Sequence, residues 1–251
     1  MTAKTCAFAQ VFELFEIMED TLGKLHMTTC GEQFRLSTDS MVLADFVRPG
    51  KNWKIADLGC GCGALSLLLC DREPSCFLTG VELQPEAAEA ARKNAQSNAL
   101  SGRFTVVEGD LRQHRSLLPA GCFDAVVSNP PYYPVGSGAP NDSFCLTLAR
   151  TELCCTPEDL CRCAAYLLRF SGSFFLVHKP ERLCDLFCCL RENRLEPKTL
   201  RFVRRDANSA ISLFLLHARL GGKSGLNILP DLLLFHPDGT PTEDHRRIYH
   251  L

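Results

Sequence analysis

The sequence predicts an α/β fold: a mostly parallel sheet of seven strands, helices on both faces, and an antiparallel hairpin toward the carboxyl end. Three observations carry this. Short apolar runs of strand length alternate with helix-period segments through the middle of the chain. Strand, helix, strand repeats in this order several times, as crossover connections between parallel strands require. The last two strand runs follow each other closely, which suits a hairpin.

The elements read in order. "WKIADLG" (53–59) is a first strand and "ALSLLLCDR" (64–72) a buried helix. "CFLTGVEL" (76–83) is a second strand. The segment "PEAAEAARKNAQSNAL" starts a helix at Pro85, where a missing N–H does no harm, and places alanines at i, i+3, i+4. "RFTVVEGD" and "CFDAVVSN" are the third and fourth strands. "TPEDLCRCAAYLLRF" (156–170) is a helix with Thr156 as N-cap, Pro157 in the first turn and Asp159 three residues on. "GSFFLVHK" is the fifth strand and "PERLCDLFCCLREN" another helix. "EPKTLRFVRR" and "SAISLFLLHARL" form the final pair. Ahead of this core, "FRLSTDSMVLADFV" (34–47) is a strand or turn followed by a helix. We expect three parts in one body: an extension (1–50), the main domain (51–220) and a tail packed on it (221–251).

Composition narrows the class. A chain of 251 residues, 46% apolar and 22% charged, can bury one large core. A net charge of −2 argues against a strongly basic nucleic-acid wrapper and leaves room for local basic patches. No apolar run reaches the roughly 18–20 residues of a membrane span. The acidic start lacks a basic region followed by an apolar one, so a secretory signal is not expected. The 15 cysteines are read as small buried apolar residues in a reducing cytoplasm. Cys154, Cys155, Cys161 and Cys163 are candidate zinc ligands, but C-C-x5-C-x-C lacks the usual knuckle spacing, and no metal is expected. His178 and His217 follow apolar runs and read as strand-end residues.

Two motifs carry chemistry. "DLGCGCG" (57–63) sits between the first strand and its helix, with Gly59, Gly61 and Gly63 after Asp57. Glycine lets the backbone turn tightly and approach a ligand. A dinucleotide fingerprint is G-x-G-x-x-G; here the third glycine comes early, and Asp57 would repel a pyrophosphate. S-adenosylmethionine has no phosphate and a cationic end, so it fits better than a nicotinamide dinucleotide. Glu82, with Leu83 beside it, ends the second strand where ribose hydroxyls would lie. Asp110, with Leu111 beside it, ends the third where an adenine amine would find an acceptor. Ligands of such sheets bind at the carboxyl ends of the strands.

The second motif is "NPPYYP" after the fourth strand. Proline lacks an N–H and restricts both itself and its predecessor, so Asn129, Pro130, Pro131 and Tyr132 form a stiff loop. A planar exocyclic amine is a poor nucleophile, because its lone pair is delocalised into the ring. Hydrogen bonds from its N–H groups to the Asn129 side chain and a backbone carbonyl, naturally that of Pro130, let the nitrogen pyramidalise toward a methyl donor. Preorganised acceptors need little rearrangement. Tyr132, or else Tyr133, can stack on the acceptor ring.

Together these motifs resemble the N-directed, Rossmann-like class I S-adenosylmethionine methyltransferases. "FRLSTDSMVLADF", "VELQPEAAEAARKNAQSN", "NPPYYP", "ARTE", "HKPERLCDLFCCLRENRLEPKTLRFVRRDANSA" and "IYH" narrow the resemblance to the tRNA1(Val) (adenine(37)-N6)-methyltransferase family. That resemblance implies methyl transfer to the exocyclic N6 of an adenine beside the anticodon of tRNA. It implies that Thr38 and Asp39, in the 1–50 extension, help to close the cofactor pocket. Arg150 and Glu152 would lie near the active site, with Thr151 where the family often has His. An RNA substrate needs cations for its phosphates; Arg150, Lys179, Arg182, Arg201, Arg204 and Arg205 are the candidates, with Arg246 and Arg247 near the end. A near-neutral enzyme can read a splayed anticodon-loop base by stacking. A monomer is expected. Competing readings are a release-factor glutamine methyltransferase, whose amide nitrogen is equally delocalised, a silent cofactor- or RNA-binding scaffold, and an NAD-dependent oxidoreductase. The short lead before the core disfavours the first, the intact acids and Asn129 the second, the glycine spacing the third.

Overall fold

The computed structural model describes residues 17–22, 24–30, 37–130 and 155–249. Pro131, Tyr132, Tyr133, Arg150, Thr151, Glu152 and Cys154 lie outside the described residues.

The first strands, β1 (Ile17–Leu22) and β2 (Leu25–Cys30), pair antiparallel as a separate two-stranded sheet. Helix α1 (Thr38–Phe46) follows. Then come β3 (Lys54–Leu58), α2 (Ala64–Arg72), β4 (Phe77–Glu82), α3 (Pro85–Ser97), β5 (Phe104–Glu108), the one-turn α4 (His114–Leu117) and β6 (Phe123–Ser128). The second half holds α5 (Pro157–Leu167), β7 (Leu168–His178), α6 (Leu183–Glu192), β8 (Leu195–Arg204), β9 (Ile211–Leu220), β10 (Asn227–Ile228), β11 (Leu232–Leu233) and α7 (Glu243–Tyr249).

Among the described residues the main sheet has nine strands rather than the expected seven, in the order β10-β8-β9-β7-β6-β3-β4-β5, with β11 also on β8. The two extra strands are two residues each, too short to leave a period-2 pattern. From β5 across to β7 every pair is parallel. Then β9 inserts antiparallel between β7 and β8, completing the expected hairpin. Strand β8 therefore runs the same way as β7. The chain leaves β3 toward β4 and β5, then returns to its other side with β6, so β3 marks the switch point where ligands of such sheets bind.

Strand alternation sorts the core into two layers. Ile55, Ala125, Val127, Phe175 and Val177 face α1, α2, α3 and α7. Ala56, Leu58, Val126, Phe174 and Leu176 face α5 and α6. Burial on both faces explains why these strands read as continuous apolar runs. Helix α5 has the expected capping box: Thr156 Oγ1 accepts from Asp159 N at 3.2 Å, and Asp159 Oδ2 accepts from Thr156 N at 3.2 Å. The sequence extended this helix to Phe170; it ends at Leu167, and β7 begins at once. Leu167 and Leu168 are both buried, so the junction lies inside one apolar run and leaves no polar mark. His217 was expected at a strand end but sits within β9, its ring stacked on Phe175 with centroids 4.6 Å apart. Cys161 and Cys163 are buried in the α5 layer, but Cys122, Cys184 and Cys188 are exposed, so the cysteines are not all the buried residues the sequence suggests. Among the described residues no helix is long and apolar enough to cross a membrane.

The tail and extension dock through named polar contacts. Asp45 of α1 is 3% exposed and ion-pairs with Arg72 of α2 and Arg247 of α7. Tyr249 donates to Thr38 Oγ1 at 2.9 Å. On the other flank, Asn94 of α3 acts as a backbone mimic for β2: its Oδ1 accepts from Thr28 N and its Nδ2 donates to Thr28 O, both at 2.8 Å.

Candidate functional site

Parallel pairing brings the carboxyl ends of β3, β4, β5 and β6 to one edge. Asp57 pairs with Gly80 and Val127, and Glu82 with Glu108, so the strand ends stand side by side. The sequence-predicted Asp57, Gly59, Gly61, Gly63, Glu82, Leu83, Asp110, Leu111, Asn129 and Pro130 all lie at or just beyond these ends.

The glycine loop is held from both sides. Gly59, Gly61 and Gly63 have φ of 72°, 54° and 86°, a region costly for residues with a Cβ. A Cβ on Gly59 would have none of the described residues within 4 Å, whereas one on Gly63 would lie 2.7 Å from the Phe104 ring. Thus Gly59 leaves its outer side free, and Gly63 lets the start of α2 settle against β5. Glu82 fixes the middle of the loop: Oε2 accepts from Gly61 N at 2.8 Å and Oε1 from Gln84 N at 2.9 Å. Asn94 Nδ2 also donates to Cys62 O at 2.8 Å. The sequence reading missed Asn94, although an Asn on the buried Ala87, Ala91, Ala95 face of α3 was a usable signal.

The acids differ in environment. Asp57 lies beneath the loop, 1% exposed, accepting from Ser66 Oγ at 2.7 Å. Burial pushes its carboxyl up to about 7; the Ser66 hydrogen bond opposes this, and nearby Glu82 adds to it. Glu82 is 6% exposed and is also raised by burial. Two neighbouring buried carboxylates make a place that a cation would stabilise. Asp110 is different: it caps the turn after β5 and pairs with Arg112, whose hydrogen bond holds it below the usual carboxylate range.

Asn129 follows β6, whose last residue Ser128 donates to Leu58 O at 2.8 Å across the β3–β6 seam. The Asn129 Nδ2 donates to Ser40 Oγ of α1 at 3.1 Å. This joins the Ser-Thr-Asp-Ser segment to the Asn-Pro loop through Ser40, a residue the sequence reading passed over. Thr38 is exposed and bonded to Tyr249, and Asp39 is half-buried in the same first turn. His178, at the end of β7, is pushed down to about 4 by burial, and its Nδ1 accepts from Lys179 N at 2.8 Å. It is a neutral ring at physiological pH.

The basic candidates separate. Lys179 and Arg182 follow the end of β7, with Arg182 paired to Asp185 at 3.1 Å. Arg205 follows β8 and sits 6.0 Å from the Phe235 ring centroid. Arg201 and Arg204 instead knit β8 to the tail, through Asp244 at 3.2 Å and Asp231 at 2.7 Å. Those carboxylates come from 27 or more residues downstream, which is why the local reading saw only a basic run.

Comparison with known proteins agrees with this geometry. Residues 30–140 match the family model described as "Methyltransferase small domain". The structure is similar to a predicted O-methyltransferase from Agrobacterium tumefaciens, with a TM-score of 0.71 at 22% identity, over 85% of this chain and 96% of that one. It is also similar to geranyl diphosphate C-methyltransferase from Streptomyces coelicolor, solved with S-adenosyl-L-homocysteine, with a TM-score of 0.55 at 13% identity, over 72% and 78%. These two likenesses establish the Rossmann-like methyltransferase fold. The tRNA1(Val) (adenine(37)-N6)-methyltransferase of Yersinia enterocolitica is 31% identical over 144 residues, 57% of this chain and 56% of that one. The Porphyromonas gingivalis protein of the same name is 33% identical over 180 residues, 69% of this chain and 70% of that one. On that extent of shared sequence, carried on a methyltransferase fold, the chain belongs to the tRNA1(Val) (adenine(37)-N6)-methyltransferase family.

Proposed function

We propose that this protein transfers a methyl group from S-adenosylmethionine to the exocyclic N6 of an adenine in tRNA, the adenine 37 named by its relatives. The observation that carries the reading is the position of Asn129: it leaves β6 beside the glycine loop that leaves β3.

The residues fit the cofactor. Gly59 keeps its outer side open among the described residues, and Glu82 stands nearly buried at the end of β4, its carboxylate held by backbone N–H groups of the loop and of the turn after β4. Asp57 and Glu82 favour a cationic ligand, whereas a pyrophosphate would meet two buried acids. When bound, S-adenosylmethionine supplies an electrophilic methyl group on its sulfonium sulfur.

The protein's part is positioning and charge. Asn129 Oδ1 and the Pro130 carbonyl accept the two N–H groups of the adenine amine and turn its lone pair toward the donor. The loop's prolines keep those acceptors aligned, so proximity and preorganisation lower the barrier. Tyr132 is assigned the stacking role. Asp110 is assigned to the cofactor's adenine. Lys179, Arg182 and Arg205 follow strands that end on the same edge as β6, and we assign them to tRNA phosphates. Arg150 is assigned to the same task.

The test is transfer of labelled methyl from S-adenosylmethionine to unmodified total tRNA, with nucleoside analysis and Asn129→Ala alongside. Labelled N6-methyladenosine that disappears in the variant supports the reading. Label in a release factor, or in no substrate, overturns it.

A further inference from the structure

Asn129 can help an amine only if its oxygen, not its nitrogen, faces that amine. The two ends of a primary amide are similar in size and opposite in function: one accepts, the other donates. Turned the wrong way, the Asn129 NH2 would oppose the substrate NH2, donor against donor. Something must hold the amide by its nitrogen end.

Ser40 Oγ is placed to do so. It accepts from Asn129 Nδ2 at 3.1 Å, across 89 residues of sequence. Ser40 is 7% exposed and is the third residue of α1. Its own N–H is capped by Ser37 Oγ at 3.2 Å, and the two hydroxyl oxygens lie 3.3 Å apart. A hydroxyl oxygen has two lone pairs, here one for Asn129 Nδ2 and one for the Ser37 hydroxyl. Helix α1 is itself immobilised: Val42 and Leu43 are fully buried, and Asp45 and Thr38 are tied to α7. The acceptor for the amide nitrogen thus sits on a fixed element.

We propose that Ser40 is a positioning residue that takes the Asn129 amide N–H and so turns Oδ1 toward the acceptor amine. The proposal rests on the assignment of Asn129 as the group that meets that amine. It makes the Ser-Thr-Asp-Ser turn part of the methyl-transfer apparatus through its second serine, independently of any contact with the cofactor.

The test compares the wild-type full chain with Ser40→Ala. Loss of one orienting hydrogen bond is expected to lower kcat about 3- to 10-fold. The KM for tRNA and the Kd for S-adenosylmethionine should stay at wild-type values, because Ser40 is not assigned to either. A variant that merely loosened α1 would weaken cofactor binding as well. The second measurement needs no substrate: the 15N-labelled side-chain NH2 signals of Asn129, identified by their loss in Asn129→Ala. In Ser40→Ala these signals should shift, and their exchange with water should quicken about 3- to 10-fold, matching the lost bond. Unchanged kcat in Ser40→Ala, or unmoved Asn129 NH2 signals, overturns the proposal. A wild-type protein inactive on tRNA sinks the substrate reading alone, and the NH2 signals then still decide the role of Ser40.

Discussion

Replacing Asp57 with Asn is expected to relieve a pH-dependent strain in the fold. Asp57 ionises at about 7 in the folded protein, against an ordinary value of 3.8, chiefly because burial penalises its charge. A carboxyl whose native pKa is raised holds its proton longer in the fold than in the unfolded chain. Its penalty is absent below pH 3.8, grows as pH rises toward 7, and is constant above that. Between pH 5 and pH 8 the wild type therefore loses about 3 kcal/mol that Asp57→Asn does not lose, at about 1.4 kcal/mol per pH unit over the two units below 7. For a chain of this size, about 2–4 °C per kcal/mol converts this to a relative Tm shift of about 6–12 °C. The assay is thermal unfolding of both proteins, without ligand, at pH 5 and pH 8. Comparing the two pH values cancels whatever pH-independent cost the new amide brings. Affinity for S-adenosylmethionine should move the other way, weakening in the variant and, in the wild type, rising with pH toward 7. A Tm difference equal at both pH values would refute the buried-carboxylate argument.

Gly63→Ala combines a left-handed backbone with a contact 2.7 Å from Phe104, a ring only 2% exposed; a loss of about 2–5 kcal/mol is expected in urea unfolding. Glu82→Gln would turn an amide N–H against a backbone N–H group, that of Gly61 or Gln84, from which Glu82 now accepts. Urea unfolding of the ligand-free protein should show a loss of about 1–3 kcal/mol, since a buried donor is left unpaired. Thr156→Ala removes one half of the α5 capping box, and chemical denaturation should show a loss of about 1 kcal/mol with methyl transfer unchanged.

Seven of the nine main-sheet strands were legible because each is long enough to show an apolar run between turn residues. The runs of β10 and β11 were not, at two residues each. Polar residues and Gly23 interrupt the β1–β2 hairpin sequence, and it docks partly through backbone bonds to Asn94 and Asn98, which leave no periodicity to read. The glycine loop and its three acids could be read because the strand ends gather them from short, local motifs. Their separate environments could not: the burial of Asp57 beneath the loop is a tertiary outcome, and the pairing of Asp110 with Arg112, though only two residues away, depends on the turn that Asp110 caps. Nothing in the linear text joins Ser40 to Asn129, or Arg201 to Asp244. Such pairs exist only after the sheet has closed.

The clamp between Asp45 and Arg247 carries a further consequence for the timing of synthesis. Helix α1 is made early, yet the arginine that braces it arrives 202 residues later, and the Tyr249–Thr38 contact spans 211. At about 5–20 residues per second, translation leaves α1 without that brace for about 10–40 s. During that interval the β3–β6 core can form while α1, and Ser40 with it, lacks its final support. The nascent chain is thus expected to gain its cofactor cradle before its aligned Asn129. A chain assembled in that order gains the last factor of about 3 to 10 in turnover, the share assigned to Ser40, only once α7 has docked.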